Sequence, residues 1–321
     1  MRRVLTFSIT IVAVVLSWTW AQGEEVPKKL ELEVKKGQTV EFTVNRTSKL
    51  TGKGDRGVFE WGTTSEITYR LEVIDEKSNG EVVLAVTYSS VKVKNDGRNG
   101  PWIFDSSEKA ASSSGDVADL IRNVISQKIS VVLSRGHVQK ISGFPELERG
   151  GDSRTRGRRW RALRVVGERR LKADLGHFLT SAVQGHSLEK GKTYTTVSKD
   201  KSGAADGDGD QRRRRRGRWR HPDSRLVYTF ESQEKDGDSD TAKLLLKQAP
   251  RGDSGDSGSS TTTTESKGEA SVSLRDGLLL EFDFASSLEW KRGDRKGTWN
   301  TTVKITRGKS ETKKSRKGTD V

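Results

Sequence analysis

The chain has 321 residues, 31% hydrophobic and 32% charged, with a formal net charge of +15 and no cysteine. That length suits one large domain or two ordinary ones, either able to bury a core without metals or disulfides as staples. The missing cysteines exclude disulfides, thiolate nucleophiles, iron–sulfur clusters, Cys-ligated zinc and a lipid-modified N-terminal Cys.

The charge is unevenly spread. Residues 151–225 carry 21 Lys/Arg against 9 Asp/Glu, and the tail 307–321 carries 6 against 2. Without these and the Arg2-Arg3 pair, the chain is close to neutral. The basicity therefore belongs to particular segments, and a nucleic-acid reading based on the total fails.

Residues 1–21 have the three parts of a secretory signal. Arg2 and Arg3 form the positive start, Val4–Leu16 is apolar, and Thr19-Trp20-Ala21 offers small residues at the cleavage positions before Gln22. The apolar run is at the short end for crossing about 30 Å of hydrocarbon. Cleavage would leave no transmembrane segment and place the mature protein outside the cytoplasm, secreted or periplasmic. The Arg pair hints at twin-arginine export, but ordinary export fits the rest better.

After the signal, alternation of apolar and polar residues dominates. Val40, Phe42 and Val44 form one run, and Ile67, Tyr69, Leu71 and Val73 another. Val82, Leu84, Val86 and Tyr88 follow the turn residues Ser78-Asn79-Gly80, which predicts a hairpin. Asp116–Gln127 has apolar positions at i, i+3, i+4, i+7 and i+8, with Asp116 placed as an N-cap, so a helix is expected over 116–127. Ile129, Val131 and Leu133 then turn through Arg135-Gly136 to Val138 and Ile141.

A second helix is expected over about 168–183, with Leu171, Leu175, Phe178, Leu179 and Ala182 on one face. Ala270, Val272 and Leu274 lead through Arg275-Asp276-Gly277 to Leu278, Leu280, Phe282 and Phe284 on one face. Trp299, Thr301, Val303 and Ile305 make a final strand. Segments near 97–115, 149–158, 200–224, 250–268 and 308–321 are rich in Gly, Ser, Asp, Thr, Lys and Arg, and read as loops or disorder.

The halves look alike. Lys36-Gly37-Gln38-Thr39-Val40 matches Lys190-Gly191-Lys192-Thr193-Tyr194. Tyr69–Glu72 matches Tyr228–Glu231, and Ile129–Ile141 matches Ala270–Phe282. The expected fold is mainly β (α+β): an antiparallel sheet built from two similar β-meander halves, with two helices packed on one face. The first half is 22–148 with helix 116–127, a basic linker spans 149–158, and the second half is 159–306. The second half carries an Arg-rich insertion at about 200–224, and a basic tail covers 307–321.

The sharpest local cluster is Arg212, Arg213, Arg214, Arg215 and Arg216 with Arg218, Trp219, Arg220 and His221. Clustered guanidinium groups chelate phosphate or sulfate oxygens, and Trp219 offers a stacking face. Arg154, Arg156, Arg158, Arg159 and Arg161 around Trp160 repeat that composition. The cluster suits a polyanion outside the cell, whether anionic lipid, an anionic envelope polymer such as an acidic polysaccharide, or incidental nucleic acid, but a solvated insertion is the preferred reading. Export argues against a specific nucleic-acid partner.

Asp206, Asp208 and Asp210 open like a calcium loop, but Gln211 and Gly217 stand where Gly and a bidentate Glu are needed. His137, His177, His186 and His221 show no metal-ligand spacing. Neither Ser134 nor Ser181 lies in a nucleophile elbow. No glycine loop follows a strand to cradle phosphate, and no cofactor is implied. Paired carboxylates of a hydrolase need only spatial proximity, so that class stays open as a minor alternative. Arg251-Gly252-Asp253 is an adhesion tripeptide in a loop where chance supplies it. Asn45-Arg46-Thr47 and Asn300-Thr301-Thr302 are glycosylation acceptors only in a eukaryotic secretory route. Trp290 and Trp299 flank a turn and suit either cross-strand packing or a cleft lining.

Leu32–Phe42, Tyr69–Val93, Ile129–Leu147, Leu188–Thr196 and Gly268–Phe284 together resemble an uncharacterised family of exported bacterial β-rich proteins, a domain of unknown function. The likeness spans about 30–306, and the Arg-rich stretches at 154–161 and 212–220 depart from it. It implies export and the fold class and transfers no catalytic residue. The reading that follows is an exported, non-enzymatic β-sheet protein of the envelope binding a ligand or partner, an amphiphile among the candidates. The alternative is a polyanion binder acting through the Arg-rich loops.

Overall fold

The computed structural model describes residues 29–54, 57–97, 100–108, 116–145, 162–195, 226–236, 239–249, 260–292 and 294–312. These form one large open antiparallel sheet with two longer helices and a helical turn at 162–166. The strands are β1 (Gln38–Gly54), β2 (Gly57–Glu76), β3 (Glu81–Gly97), β4 (Gly100–Asp105), β5 (Ile129–Ser134) and β6 (His137–Ser142). Then come β7 (Thr193–Thr195), β8 (Leu226–Asp236), β9 (Ser239–Gln248), β10 (Ser260–Ser273), β11 (Leu279–Arg292) and β12 (Arg295–Thr312). Helices α1 (Asp116–Ile125) and α2 (Glu168–Phe178) interrupt them. Spatially the order is β6-β5-β3-β2-β1-β12-β11-β10-β9-β8-β7, with β4 paired to β3. Among the described residues no helix is long and apolar enough to cross a membrane, which says nothing of strands.

The alternation works as expected because side chains on a strand point to opposite faces. Val40, Phe42 and Val44 are buried, as are Ile67, Tyr69, Leu71 and Val73, all on the inner face. On α2, Leu171, Leu175 and Phe178 recur at i, i+4 and i+7 and are buried. Phe178 stacks on Phe42 at 4.3 Å, nearly parallel, and meets Tyr69 edge-on at 5.5 Å. His177 lies against Phe282 at 4.7 Å. Helix α2 therefore touches β1, β2 and β11 on the inner face. Each fully buried Phe contributes on the order of 1.5–3 kcal/mol.

Several expectations are corrected. The second helix ends at Phe178 instead of running to 183, because Thr180 adopts φ 48. Left-handed backbone is unusual for a β-branched residue, and hydroxyls anchor it here. Thr180 Oγ1 donates to the Gly277 carbonyl and Ser181 Oγ to the Gly136 carbonyl, each at 3.0 Å. Helix α1 stops at Ile125, two residues early. Within 97–115, read as a loop, β4 forms because Trp102 and Phe104 alternate into the core and are buried. Strands β10 and β12 likewise extend into 260–268 and 308–312, where β11 and β1 supply the ladder partners. Finally, Leu280 leaves the common face. Val272 pairs with Leu279 and Ser271 with Glu281, so Leu280 is the extra residue of a bulge.

The segments read from sequence as a signal (1–21), a linker (149–158) and an insertion (200–224), and the chain beyond 312, lie outside the described residues.

Candidate functional site

The inner face does not stop where α2 does. Beyond Val44 and Ile67 the same parity continues along β1 and β2, and along their neighbours β12 and β11. Cross-strand register sets these residues in lines across the four strands, each about 7 Å beyond the last. The first line is Ser65, Arg46, Val303 and Phe284; the second is Thr63, Ser48, Thr301 and Ser286. The third is Trp61, Leu50, Trp299 and Leu288; the last is Phe59, Gly52, Gly297 and Trp290.

The sequence thus bands this face: an aliphatic and aromatic core under α2, a charged and hydroxylic belt, then an aromatic end. The glycines belong to that end. A Cβ on Gly52 would lie 2.6 Å from the Phe59 ring, and one on Gly297 would lie 2.8 Å from the Trp290 ring. The two rings lie over the two glycines, an arrangement only glycine permits. Phe59 also stacks with Trp61 at 4.8 Å. Trp61, Trp299, Leu50 and Phe59 are half-buried.

Where the belt meets the core sits a buried ionic cluster. Asp174 on α2 is fully buried. Its Oδ2 accepts from Arg170 Nε at 2.8 Å and from Tyr69 Oη at 2.8 Å; its Oδ1 accepts from Arg46 Nη2 at 3.4 Å. Two guanidinium groups thus share one carboxylate. Arg46 Nε and Arg170 Nη2 are buried without a hydrogen-bond partner. Burial, followed by the charge of Asp174, holds the Tyr69 hydroxyl well above the usual phenol range. Tyr88, whose hydroxyl donates to the Val166 carbonyl at 2.8 Å, is raised for the same two reasons.

Under α2 the inner face is packed, Phe178 lying against Phe42 and Tyr69. The cavity lined by Val40, Phe42, Leu71, Leu84, Leu179 and Leu278 measures about 20 Å³, room for roughly one water. Among the described residues that cavity is too small for a ligand, while Leu50, Phe59, Trp61 and Trp299 at the aromatic end are half-buried.

The residues singled out from sequence fare differently. Arg212, Arg213, Arg214, Arg215, Arg216, Arg218, Trp219 and Arg220 lie outside the described residues, as do Asp206, Asp208, Asp210, the arginines of 154–161 and the Arg251-Gly252-Asp253 tripeptide. Trp290 and Trp299 stand on neighbouring strands of the aromatic end. His177 Nδ1 lies 3.3 Å from the Tyr228 hydroxyl, and His186 packs on Tyr194 at 5.4 Å. Among the described residues no group of three or more His, Asp or Glu could hold a metal. Sequence reading missed Arg46, Asp174 and Trp61. The available signal was parity: Arg46 follows Val40, Phe42 and Val44 at inward positions, and Asp174 lies beside Leu171 and Leu175 on the apolar face of α2.

No protein-family model and no curated protein matches the chain. Among solved structures, it overlays on lipovitellin over 89% of its own length at 10% identity and a TM-score of 0.47. The chain spans about a quarter of that protein, 26%. A LolA superfamily protein from Nitrosomonas europaea matches over 90% of this chain and 92% of that one, at 9% identity and a TM-score of 0.14. A DUF1329 family protein from Desulfovibrio piger matches over 86% of each, at 9% identity and a TM-score of 0.15. Overlays this loose assign neither family nor function.

Proposed function

We propose that the chain is an exported, non-enzymatic protein of the cell envelope, secreted or periplasmic, that holds an amphiphile on the inner face of its sheet. The observation that carries this reading is the continuation of the inner face beyond α2, where half-buried Trp61, Leu50 and Trp299 form an apolar line with buried Leu288. Large apolar surface rimmed by polar residues marks a binding site more often than a passive surface. On the same face its polar rim is the belt of Thr63, Ser48, Thr301 and Ser286, one line nearer the core.

Asp174, the one fully buried carboxylate among the described residues, fits a non-enzymatic role. Its oxygens are taken up by Arg46, Arg170 and Tyr69, which is a structural ion cluster. Extraction of the purified full chain into organic solvent, followed by mass spectrometry, tests the reading. A stoichiometric amphiphile is expected, and a chain that carries none and takes none up from added lipid overturns it.

The scaffold for this face is a duplicated meander, 22–148 and 159–306, joined through β12. Five strands on each side follow the same order, β6-β5-β3-β2-β1 and β11-β10-β9-β8-β7. Gly37 N donates to the Val73 carbonyl and Gly191 N to the Phe230 carbonyl, both at 2.8 Å. A bulge follows each acceptor, at Ile74 and at Glu231. Further bulges at Gln139 and Leu280 each fall three residues after a turn glycine, Gly136 and Gly277. Matching bulges and turns at matching places favour repetition over coincidence.

A further inference from the structure

We propose that Arg46 and Arg170 form the head-group site for an anionic amphiphile whose apolar part lies along Leu50, Trp61 and Trp299. The inference rests on the amphiphile reading above and adds the sign of the ligand's charge and the residues that recognise it.

The ionic cluster is unbalanced in charge. Two guanidinium groups carry ten N–H donors and two positive charges. Asp174 returns one negative charge and accepts one bond from each. Among the described residues no other carboxylate is paired to either arginine. Only 14% of the Arg46 side chain and 10% of the Arg170 side chain remain exposed. A surplus positive charge held so far out of water is costly unless an anion meets it. Arg46 Nε and Arg170 Nη2, buried and without partners, are the donors left over.

Position supplies the rest. Arg46 lies at the boundary of the packed core, one step on β1 before Ser48 and two before Leu50. Ser48 accepts from Trp299 Nε1 at 2.5 Å, and Thr63 accepts from Asn95 Nδ2 at 2.6 Å. The hydroxyl belt thus separates the cationic pair from the aromatic end by about 7 Å per line. A molecule with an anionic head on the arginines and a chain extending outward matches that sequence of surfaces. One surplus charge matches a monoanion, a carboxylate or a phosphodiester, either of which a guanidinium fork grips bidentately.

The test uses the purified full chain and the quenching of its tryptophan emission by bromine-labelled lipids. Dibromostearate, dibrominated phosphatidylglycerol and methyl dibromostearate are titrated in parallel. At least one of the two anions is expected to quench saturably with at least tenfold higher affinity than the neutral ester, and whichever does so names the head group. In Arg46→Gln that anion should fall to the level of the ester, while the ester itself is unchanged. Should Arg46→Gln not fold, Arg170→Gln serves, and the comparison of anion with ester in the unmutated chain stands alone. Equal binding of anions and ester overturns the head-group site and leaves the amphiphile reading intact. Absence of saturable quenching by all three overturns both.

Discussion

Trp299 donates its indole N–H to Ser48 Oγ at 2.5 Å across the β1–β12 ladder. The bond fixes an aromatic ring at the seam between the two halves of the sheet, on the face that α2 leaves uncovered. One step toward the core on the same strand is Arg46, whose guanidinium reaches Asp174 on α2. Core, charge and aromatic end are thus consecutive features of one strand face. From this continuity come expectations for stability and for binding.

The ionic cluster is asymmetric, so its members should respond unequally to removal. Asp174→Asn leaves two buried guanidinium groups without a counter-charge and should cost about 3–5 kcal/mol. Arg46→Gln leaves Arg170 and Asp174 in a balanced pair and should cost less than about a third of that. Urea denaturation of the two variants measures the difference. Equal losses would mean that Arg46 acts through packing alone.

Gly277 and Gly185 separate backbone conformation from crowding. Both have positive φ, 69 and 77. A Cβ on Gly277 would lie 2.2 Å from the Glu31 carbonyl oxygen, whereas one on Gly185 meets nothing within 4 Å. Gly185→Ala should cost about 1–2 kcal/mol, the left-handed penalty alone. Gly277→Ala should cost clearly more, because the 29–34 segment must also shift. Thermal melts of the two variants side by side provide the comparison.

Alkaline pH should destabilise the protein through its tyrosines. Burial raises Tyr69, Tyr88 and Tyr228 above their ordinary value of 10.0. Their contribution is complete below the unfolded value and is lost as pH rises beyond it, because only the unfolded chain ionises readily. Absorbance at 295 nm should show these three tyrosines titrating together with loss of the fold, above about pH 10. Ionisation of all of them in a still-folded protein would contradict their burial.

The Arg212–Arg220 block makes a separate prediction. If it grips polyanions, retention of the full chain on heparin should fall steeply with salt and should weaken on deletion of 211–220. Unchanged retention after deletion would show the block to be a solvated insertion.

The hairpins were legible because their turns leave few alternatives. Asn79-Gly80 and Arg135-Gly136 stand between alternating runs, and both glycines adopt positive φ. The inward sets around Phe42 and Tyr69 were legible for a related reason, since strict parity links sequence to face. Parity also explains what was missed. Past Val44 the inward residues become Arg46, Ser48 and Leu50, so hydrophobicity stops reporting the face although the strand continues. At Leu280 a bulge shifts the register by one, and nothing in local composition announces it. Strand β4 was hidden by Gly and Asn flanks around Trp102 and Phe104. Asp174 was hidden because its partners lie on other elements, 105 residues away for Tyr69 and 128 for Arg46.

An amphiphile held at the aromatic end of the inner face would lie along Leu50, and Leu50→Glu sets a carboxylate there between Trp61 and Trp299. Native mass spectrometry of the full chain, unmutated and variant, should find a bound amphiphile on the first and none on a folded Leu50→Glu. Equal occupancy of both would contradict that placement.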